Sequence, residues 1–253
     1  MEKHKQNTIN RFGLLGKDID YSFSKGYFTE KFKREKTLDC QYENFDLDTI
    51  EKVVSLLQDT TIQGLNVTIP YKQAILPYLD RLEGDAAAVG AVNTVAFDAD
   101  RNPVGHNTDV YGFETALKEV TDILPQKALI LGTGGASKAV AYVLKKNDVA
   151  IQFVSRSAGT DRLSYEQLEP QTVADHQLIV NCSPLGTYPN VYEKPNIPYH
   201  MIGDKHILFD LIYNPEKTLF LQRGSQQGAR IQNGHSMLIH QAEKSWSIWN
   251  SNQ

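Results

Sequence analysis

Over residues 9–97, short β-branched and aromatic runs, "INRFGLLG", "YENFDL", "GLNVTI" and "GAVNTVAF", alternate with helix-like stretches such as 25–35 and 49–58. Such alternation of strand and helix is the pattern of stacked β-α units, so an α/β domain is predicted here. The polar turn within "VGHNTDVYGF" then opens a helical segment over 109–120, and this is the expected joint. A second series follows, with "KALILG" (127–132) as a short apolar strand, "GGASKAVAYVLKKN" as a helix and "VAIQFVSR" as the next strand. "QLIVNCS" and "HILFDLIY" continue it. After "RIQNG" (230–234) the chain ends in "HSMLIHQAEKSWSIWN", an amphipathic helix whose Trp246 and Trp249 need an apolar surface to cover. It is expected to return to the first domain.

Composition narrows the function classes. The chain has 253 residues, enough for two modest domains with real cores, and its 41% hydrophobic and 22% charged content is that of an ordinary globular protein. A formal charge of -4 gives no overall electrostatic footprint for nucleic acid or an anionic membrane, leaving small molecules as the expected partners. Cys40 and Cys182 stand far apart, without a Cys-x-x-Cys pattern or paired histidines, which argues against a disulfide framework and a structural metal site. The polar opening "MEKHKQNTIN" and the lack of a long apolar run signal neither export nor insertion, so a cytoplasmic protein is expected.

The clearest chemical motif is "LILGTGGASKA", which puts Gly132, Gly134 and Gly135 between a strand and a helix. Glycines there let the backbone turn sharply and let a pyrophosphate approach the helix N-terminus, where unpaired N–H groups and the helix dipole favour an anion. About 20 residues on, an NAD-binding unit usually offers a carboxylate to the ribose hydroxyls. This chain has Ser155-Arg156-Ser157 instead. A guanidinium can pair with a 2′-phosphate that an acidic residue would repel, so Arg156 favours NADP. Arg162 could add charge nearby.

Two amides stand inside apolar strand-like runs, Asn66 in "LNVT" and Asn93 in "AVNTV". Their burial is costly unless they are paired, by a ligand or by a structural network. His106 and His235 fall in loop-like positions with no spacing that suggests a base or a metal ligand.

Six separated motifs, "SFS" (22–24), "NVTIPYK" (66–72), "GAVNT" (90–94), "GHNTD" (105–109), "GTGGASKA" (132–139) and "NGHSMLIHQA" (233–242), together resemble the shikimate dehydrogenase family, in order and over almost the whole chain. The resemblance implies a two-domain α/β protein. Residues 1–108, completed by 229–253, would form the substrate-binding domain, and 109–228 a Rossmann-type NADP-binding domain, the two joined across a cleft. The implied reaction is reversible hydride transfer between NADPH and 3-dehydroshikimate, giving shikimate on the route to aromatic amino acids, with NADP(H) as cofactor and no metal. A monomer and a homodimer are equally compatible.

The same resemblance implies that Ser22 and Ser24, helped by Tyr213, bind the substrate carboxylate, and that Thr68, Asn93 and Gln241 bind ring hydroxyls. Lys72 and Asp109 would form the pair at the reacting oxygen. Gly132, Gly134, Gly135, Ala136, Ser155 and Arg156 would hold the cofactor, with Gly234 and Met237 near the nicotinamide. Chemistry supports these residue types. Reduction of a ketone needs a proton delivered to the developing alkoxide, which a positioned lysine can supply. A carboxylate within about 4–6 Å favours the charged form of such a lysine, so hydroxyl oxidation should quicken toward alkaline pH. Asp109 also stands where an acidic residue commonly caps a helix. Ser22 and Ser24 alternate around Phe23, so on an extended segment both hydroxyls would face one way.

The chain departs from the family pattern at a few positions. Lys25 and Phe28 stand where proline and histidine are common, Tyr21 replaces a common histidine, Val110 a frequent glycine, and "SRS" a common "NRT". Three rivals stand beside the leading reading: a quinate/shikimate dehydrogenase with relaxed cofactor use, a folate-type methylene dehydrogenase, and a non-catalytic ligand sensor on the same scaffold. Arg156 disfavours the first, the paired serines and "GHNTD" the second, and retention of both Lys72 and Asp109 the third.

Overall fold

The computed structural model describes residues 9–20 and 22–251. Tyr21 and the polar opening through residue 8 lie outside the described residues. The chain divides into two compact units, one running up to Thr108 and resumed from Ala242, the other spanning Asp109–Gln241.

In the first unit, strands β1 (Asn10–Gly16), β2 (Cys40–Asp46), β3 (Ile62–Val67), β4 (Arg81–Leu82), β5 (Thr94–Phe97) and β6 (Pro103–His106) form one sheet in the order β2-β1-β3-β5-β6-β4. β1 pairs in parallel with both β2 and β3, whereas β5 runs antiparallel to β3 and β6. One face is covered by the helix Phe23–Glu35 and the returning C-terminal helix, which bring Phe32, Trp246 and Trp249 onto Phe12, with Phe28 packed against Phe32 and Trp249 in the same cluster. Trp249 is 3% exposed, and its indole N–H donates to the Val95 carbonyl at 3.0 Å. The two tryptophans find the apolar surface that their helix requires, and Gly64 supplies the flat spot against which the Trp249 ring lies.

The second unit carries β7 (Lys127–Leu131), β8 (Ala150–Ser155), β9 (Arg162–Ser164), β10 (Leu178–Asn181), β11 (Ile207–Asp210) and β12 (Arg230–Gln232) in the order β12-β11-β10-β7-β8-β9. Every pairing is parallel, and this is the doubly wound Rossmann order, with its switch point between β7 and β10. β10 and β11 are buried along their whole length, and β7 after its first residue, which explains why they read as unbroken apolar runs: helices cover both faces of a parallel sheet. β12 lies beyond 229, where the sequence places the start of the returning segment, yet it pairs with β11 in this second sheet. A three-residue strand of Arg, Ile and Gln carries no apolar run to announce it.

No helix among the described residues is long and apolar enough to cross a membrane.

Candidate active site

Sheet direction gathers the first unit's candidate residues at one edge. β1, β2, β3 and β6 end there, at Gly16, Asp46, Val67 and His106, and antiparallel β5 begins there at Thr94, opposite His106. The segments adjoining those ends carry Ser22 and Ser24 (after β1), Thr68 and Lys72 (after β3) and Asn93 (before β5).

Ser22 is the N-cap of the helix Phe23–Glu35, its hydroxyl oxygen accepting the Ser24 N–H at 3.2 Å. The two serines therefore do not alternate along an extended segment, because serine before a helical run satisfies an otherwise orphaned N–H and starts the helix at Phe23. The turn before them is clamped from β2. Asp46 accepts the Asp18 and Ile19 N–H groups at 3.1 and 3.2 Å, and the Asn44 amide donates to the Ile19 carbonyl at 3.0 Å. Neither clamp residue carries a sequence signal, since each acts on backbone far away in the chain. Phe28 is fully buried and stacks on Tyr42, centroids 4.6 Å apart and planes 10° apart. The departure from histidine is thus absorbed by an aromatic core.

Thr68 donates its N–H to the Leu15 carbonyl at 2.8 Å, and its own carbonyl accepts from Tyr71 N–H at 2.8 Å, which turns the chain directly into the one-turn helix Tyr71–Ala74. Lys72 is half-buried on that turn, and its carbonyl takes the Val92 N–H at 2.8 Å. Val67 N–H in turn reaches the Asn93 carbonyl at 2.8 Å, so the lysine turn and the Asn93 segment are laced together through the backbone. Asn93 is 3% exposed, and its side-chain oxygen accepts the Thr108 N–H at 2.7 Å. His106 is half-buried, and burial lowers the pKa of its imidazole, which favours the neutral ring.

In the second unit the parallel strands bring their carboxyl ends together. Asp109 is the second residue of the helix Thr108–Lys118 and is 6% exposed. Gly132 follows β7 with φ of +108°, and a Cβ there would meet the Cys182 carbonyl group and the Ser183 nitrogen at 3.1 Å, so only glycine fits this turn at the switch point. Gly134 caps the helix Gly135–Lys146 without a side-chain cap bond, Ala136 lies in the first turn, and a Cβ at Gly134 would meet nothing within 4 Å. Open space facing the N-terminus of a twelve-residue helix suits a phosphate group. Ser155 ends β8, its hydroxyl donating to the Ser157 carbonyl at 2.7 Å, and Arg156 between them is exposed. The residues present fit a dinucleotide carrying a 2′-phosphate. Among the described residues no group of three or more His, Cys, Asp or Glu could hold a metal ion.

Tyr213 lies in the loop after β11, half-buried, and Gly234 follows β12, donating its N–H to the Ile212 carbonyl at 3.0 Å. A Cβ on Gly234 would strike the Leu211 carbonyl, so the two loops touch backbone to backbone. Met237 and Gln241 stand one turn apart on the C-terminal helix, 6% and 8% exposed, and the Gln241 amide donates to the Leu238 carbonyl at 2.9 Å.

The Tyr213 loop is anchored by Asp210, a buried carboxyl that accepts from Thr218 Oγ1 at 2.5 Å, Asn181 Nδ2 at 3.0 Å and Ile212 N–H at 3.1 Å. Burial outweighs those bonds and pushes the carboxyl up from 3.8 to about 7. The folded state holds this proton after the unfolded chain has released it. The contribution is therefore full below about pH 4 and is lost as pH rises toward 7. Asp210→Asn removes the titration, so melting curves from pH 4 to 8 should show wild type losing ground to the variant as pH rises, at roughly 2–4 °C per kcal/mol. Parallel profiles would contradict this assignment.

The family model described as the shikimate dehydrogenase substrate binding domain matches residues 14–95. The curated shikimate dehydrogenase (NADP(+)) of Methanococcus maripaludis strain S2 is 36% identical over 254 aligned residues, covering 94% of this chain and 90% of that protein. That of Clostridium botulinum strain Hall is 37% identical over 248, covering 94% and 95%. The crystal structure of Thermus thermophilus shikimate 5-dehydrogenase in complex with NADP(H) and shikimate superposes with a TM-score of 0.85 at 28% identity, covering 96% of this chain and 94% of that one.

Proposed function

The chain belongs to the shikimate dehydrogenase family, and we propose on that footing that it catalyses the reversible NADPH-dependent reduction of 3-dehydroshikimate to shikimate in chorismate and aromatic amino acid biosynthesis. The observation that carries this reading is full-length similarity to NADP-dependent shikimate dehydrogenases in a chain whose own residues fit both ligands: Lys72, Thr68 and Asn93 at one edge of the first sheet, an uncapped glycine turn and Arg156 in the second unit.

The first unit serves as the substrate-binding domain and the second as the NADP-binding domain. Ser22 and Ser24, with Tyr213, bind the carboxylate, while Thr68, Asn93 and Gln241 meet the ring hydroxyls. Both ends of the Asn93 amide are tied to Thr108, its oxygen accepting the Thr108 N–H at 2.7 Å and its nitrogen donating to Thr108 Oγ1 at 3.0 Å, which fixes the orientation of the amide. Gly132, Gly134, Gly135 and Ala136 would hold the pyrophosphate, Ser155 and Arg156 the adenosine 2′-phosphate, and Gly234 and Met237 would border the nicotinamide. The hydride for the carbonyl carbon comes from NADPH when it is bound. Lys72 Nζ gives its proton to the carbonyl oxygen as the alkoxide develops, and in the reverse direction takes it back. Asp109 is the proposed carboxylate partner of that lysine at the reacting oxygen.

Small-molecule substrate and cofactor are the partners of this activity. We place it in the cytoplasm, a reducing compartment that suits two free cysteines, Cys40 and Cys182.

Initial rates of nicotinamide reduction with shikimate or quinate, each paired with NADP or NAD, test the assignment. Shikimate with NADP should be the fastest pair. A folded protein inactive with all four would overturn the reading, and a preference for quinate with NAD would replace it.

A further inference from the structure

The proposed substrate groups of the first unit stand on a buried polar network whose full membership no sequence motif announces. Ser245, on the C-terminal helix, is 0% exposed. Its hydroxyl accepts from Asn66 Nδ2 at 2.9 Å and shares hydrogen bonds with Thr94 Oγ1 at 2.8 Å and Thr108 Oγ1 at 3.2 Å. Thr94 and Thr108 lie 3.2 Å apart, which closes a triangle of three hydroxyls. Asn66 completes one side: its oxygen accepts the Tyr42 hydroxyl at 2.8 Å, and its nitrogen reaches the Asn93 carbonyl at 3.3 Å.

Asn93 completes the other side. Its side-chain oxygen accepts Thr108 N–H at 2.7 Å and the Thr94 hydroxyl at 3.2 Å, and its nitrogen donates to Thr108 Oγ1 at 3.0 Å. Thr108 is the residue directly before Asp109. Asn93, Thr94, Thr108 and Ser245 are all at most 3% exposed, so no water competes for these bonds and each one constrains the next.

Resting on the functional reading above, we propose that Ser245 is a positioning residue of the reaction: through Thr94 and Thr108 it fixes the amide of Asn93 and the backbone that leads into Asp109. A serine suits this place because one hydroxyl can accept from Asn66 and still share hydrogen bonds with the two threonines, whereas alanine breaks the triangle at the point where its edges meet. The network is held from the far end of the chain, by the helix whose Trp249 is anchored on Val95 one residue beyond Thr94.

Ser245→Ala should lower kcat/KM for shikimate about ten-fold, in the middle of the range of coupling between contacting residues, with KM for NADP unchanged. In an Asn93→Ala background the same change should cost less than about two-fold, because the group it positions is gone. A purely structural serine behaves differently. It would lower the melting temperature and the active fraction, reducing kcat by the same factor in both backgrounds and leaving KM for shikimate unmoved. Equal factors in the two backgrounds, or unchanged kcat/KM in the single variant, overturn the positioning role. Thr94→Val, which keeps the β-branched shape and removes the hydroxyl, repeats the cycle should Ser245→Ala not fold, with the same expected pattern. Wild-type enzyme is the internal control: no turnover of shikimate with NADP overturns the functional reading and the positioning role with it, whereas normal turnover with equal factors overturns the positioning role alone.

Discussion

Lys72→Ala is expected to lower kcat for shikimate oxidation by about 10²–10⁴-fold, the usual contribution of a positioned proton-transfer group, with little change in KM for either ligand. The prediction rests on where the side chain is mounted. Lys72 sits on a single helical turn whose backbone is fixed from outside by the bond from Val92 N–H to the Lys72 carbonyl, so truncation beyond Cβ leaves the turn in place. The side chain is half-buried and contributes little core, which keeps the stability cost small. Lys72→Arg separates charge from proton transfer. A guanidinium keeps the positive charge but does not give up its proton in a protein, so the arginine variant should bind substrate and remain slow. Steady-state kinetics of both variants decide the matter. A rise in KM at constant kcat would make Lys72 a binding group, and full activity of Lys72→Arg would make its role electrostatic alone.

The parts of this fold that were legible in the sequence are those whose cause is local. The β7, β10 and β11 runs are apolar throughout because both faces of a parallel sheet are covered, and the Gly132 turn is glycine because a Cβ would meet Cys182 and Ser183. Ser22 was half legible. A hydroxyl residue before a helical run signals an N-cap, yet alternation around Phe23 suggested an extended segment, and the local bond from Ser24 N–H decided for the helix. Asn66 and Asn93 announced a network through the cost of burying amides, but not its members. Ser245 announced nothing. Its partners Thr108 and Asn66 are 137 and 179 positions away, and between Lys244 and Trp246 a serine reads as an ordinary helix residue. The Asp46 clamp on Asp18 and Ile19 was hidden for the same reason, and β12 because three residues are too few to show a period. Only topology brings such residues together, and topology is not a local property.

Arg156→Gln is expected to raise KM for NADP by about 10–100-fold while leaving KM for NAD and kcat with saturating cofactor nearly unchanged. A hydrogen bond to a charged group contributes about 1.5–3 kcal/mol, and each 1.4 kcal/mol is ten-fold in affinity. The substitution should not disturb the fold, because Arg156 is exposed and the turn around it is held by its neighbours, the Ser155 hydroxyl bonding to the Ser157 carbonyl at 2.7 Å. Arg162 is a weak substitute. Its guanidinium is already engaged with the Ser157 carbonyl and with Asp161, each at 3.3 Å, so Arg162→Gln should shift KM for NADP far less. Ionic strength gives an independent check. Added salt screens an exposed guanidinium–phosphate pair, so KM for NADP should climb with salt in the wild type and stay nearly flat in Arg156→Gln. Equal losses for NADP and NAD would mean that the arginine shapes the loop, and the 2′-phosphate would then have to be recognised elsewhere.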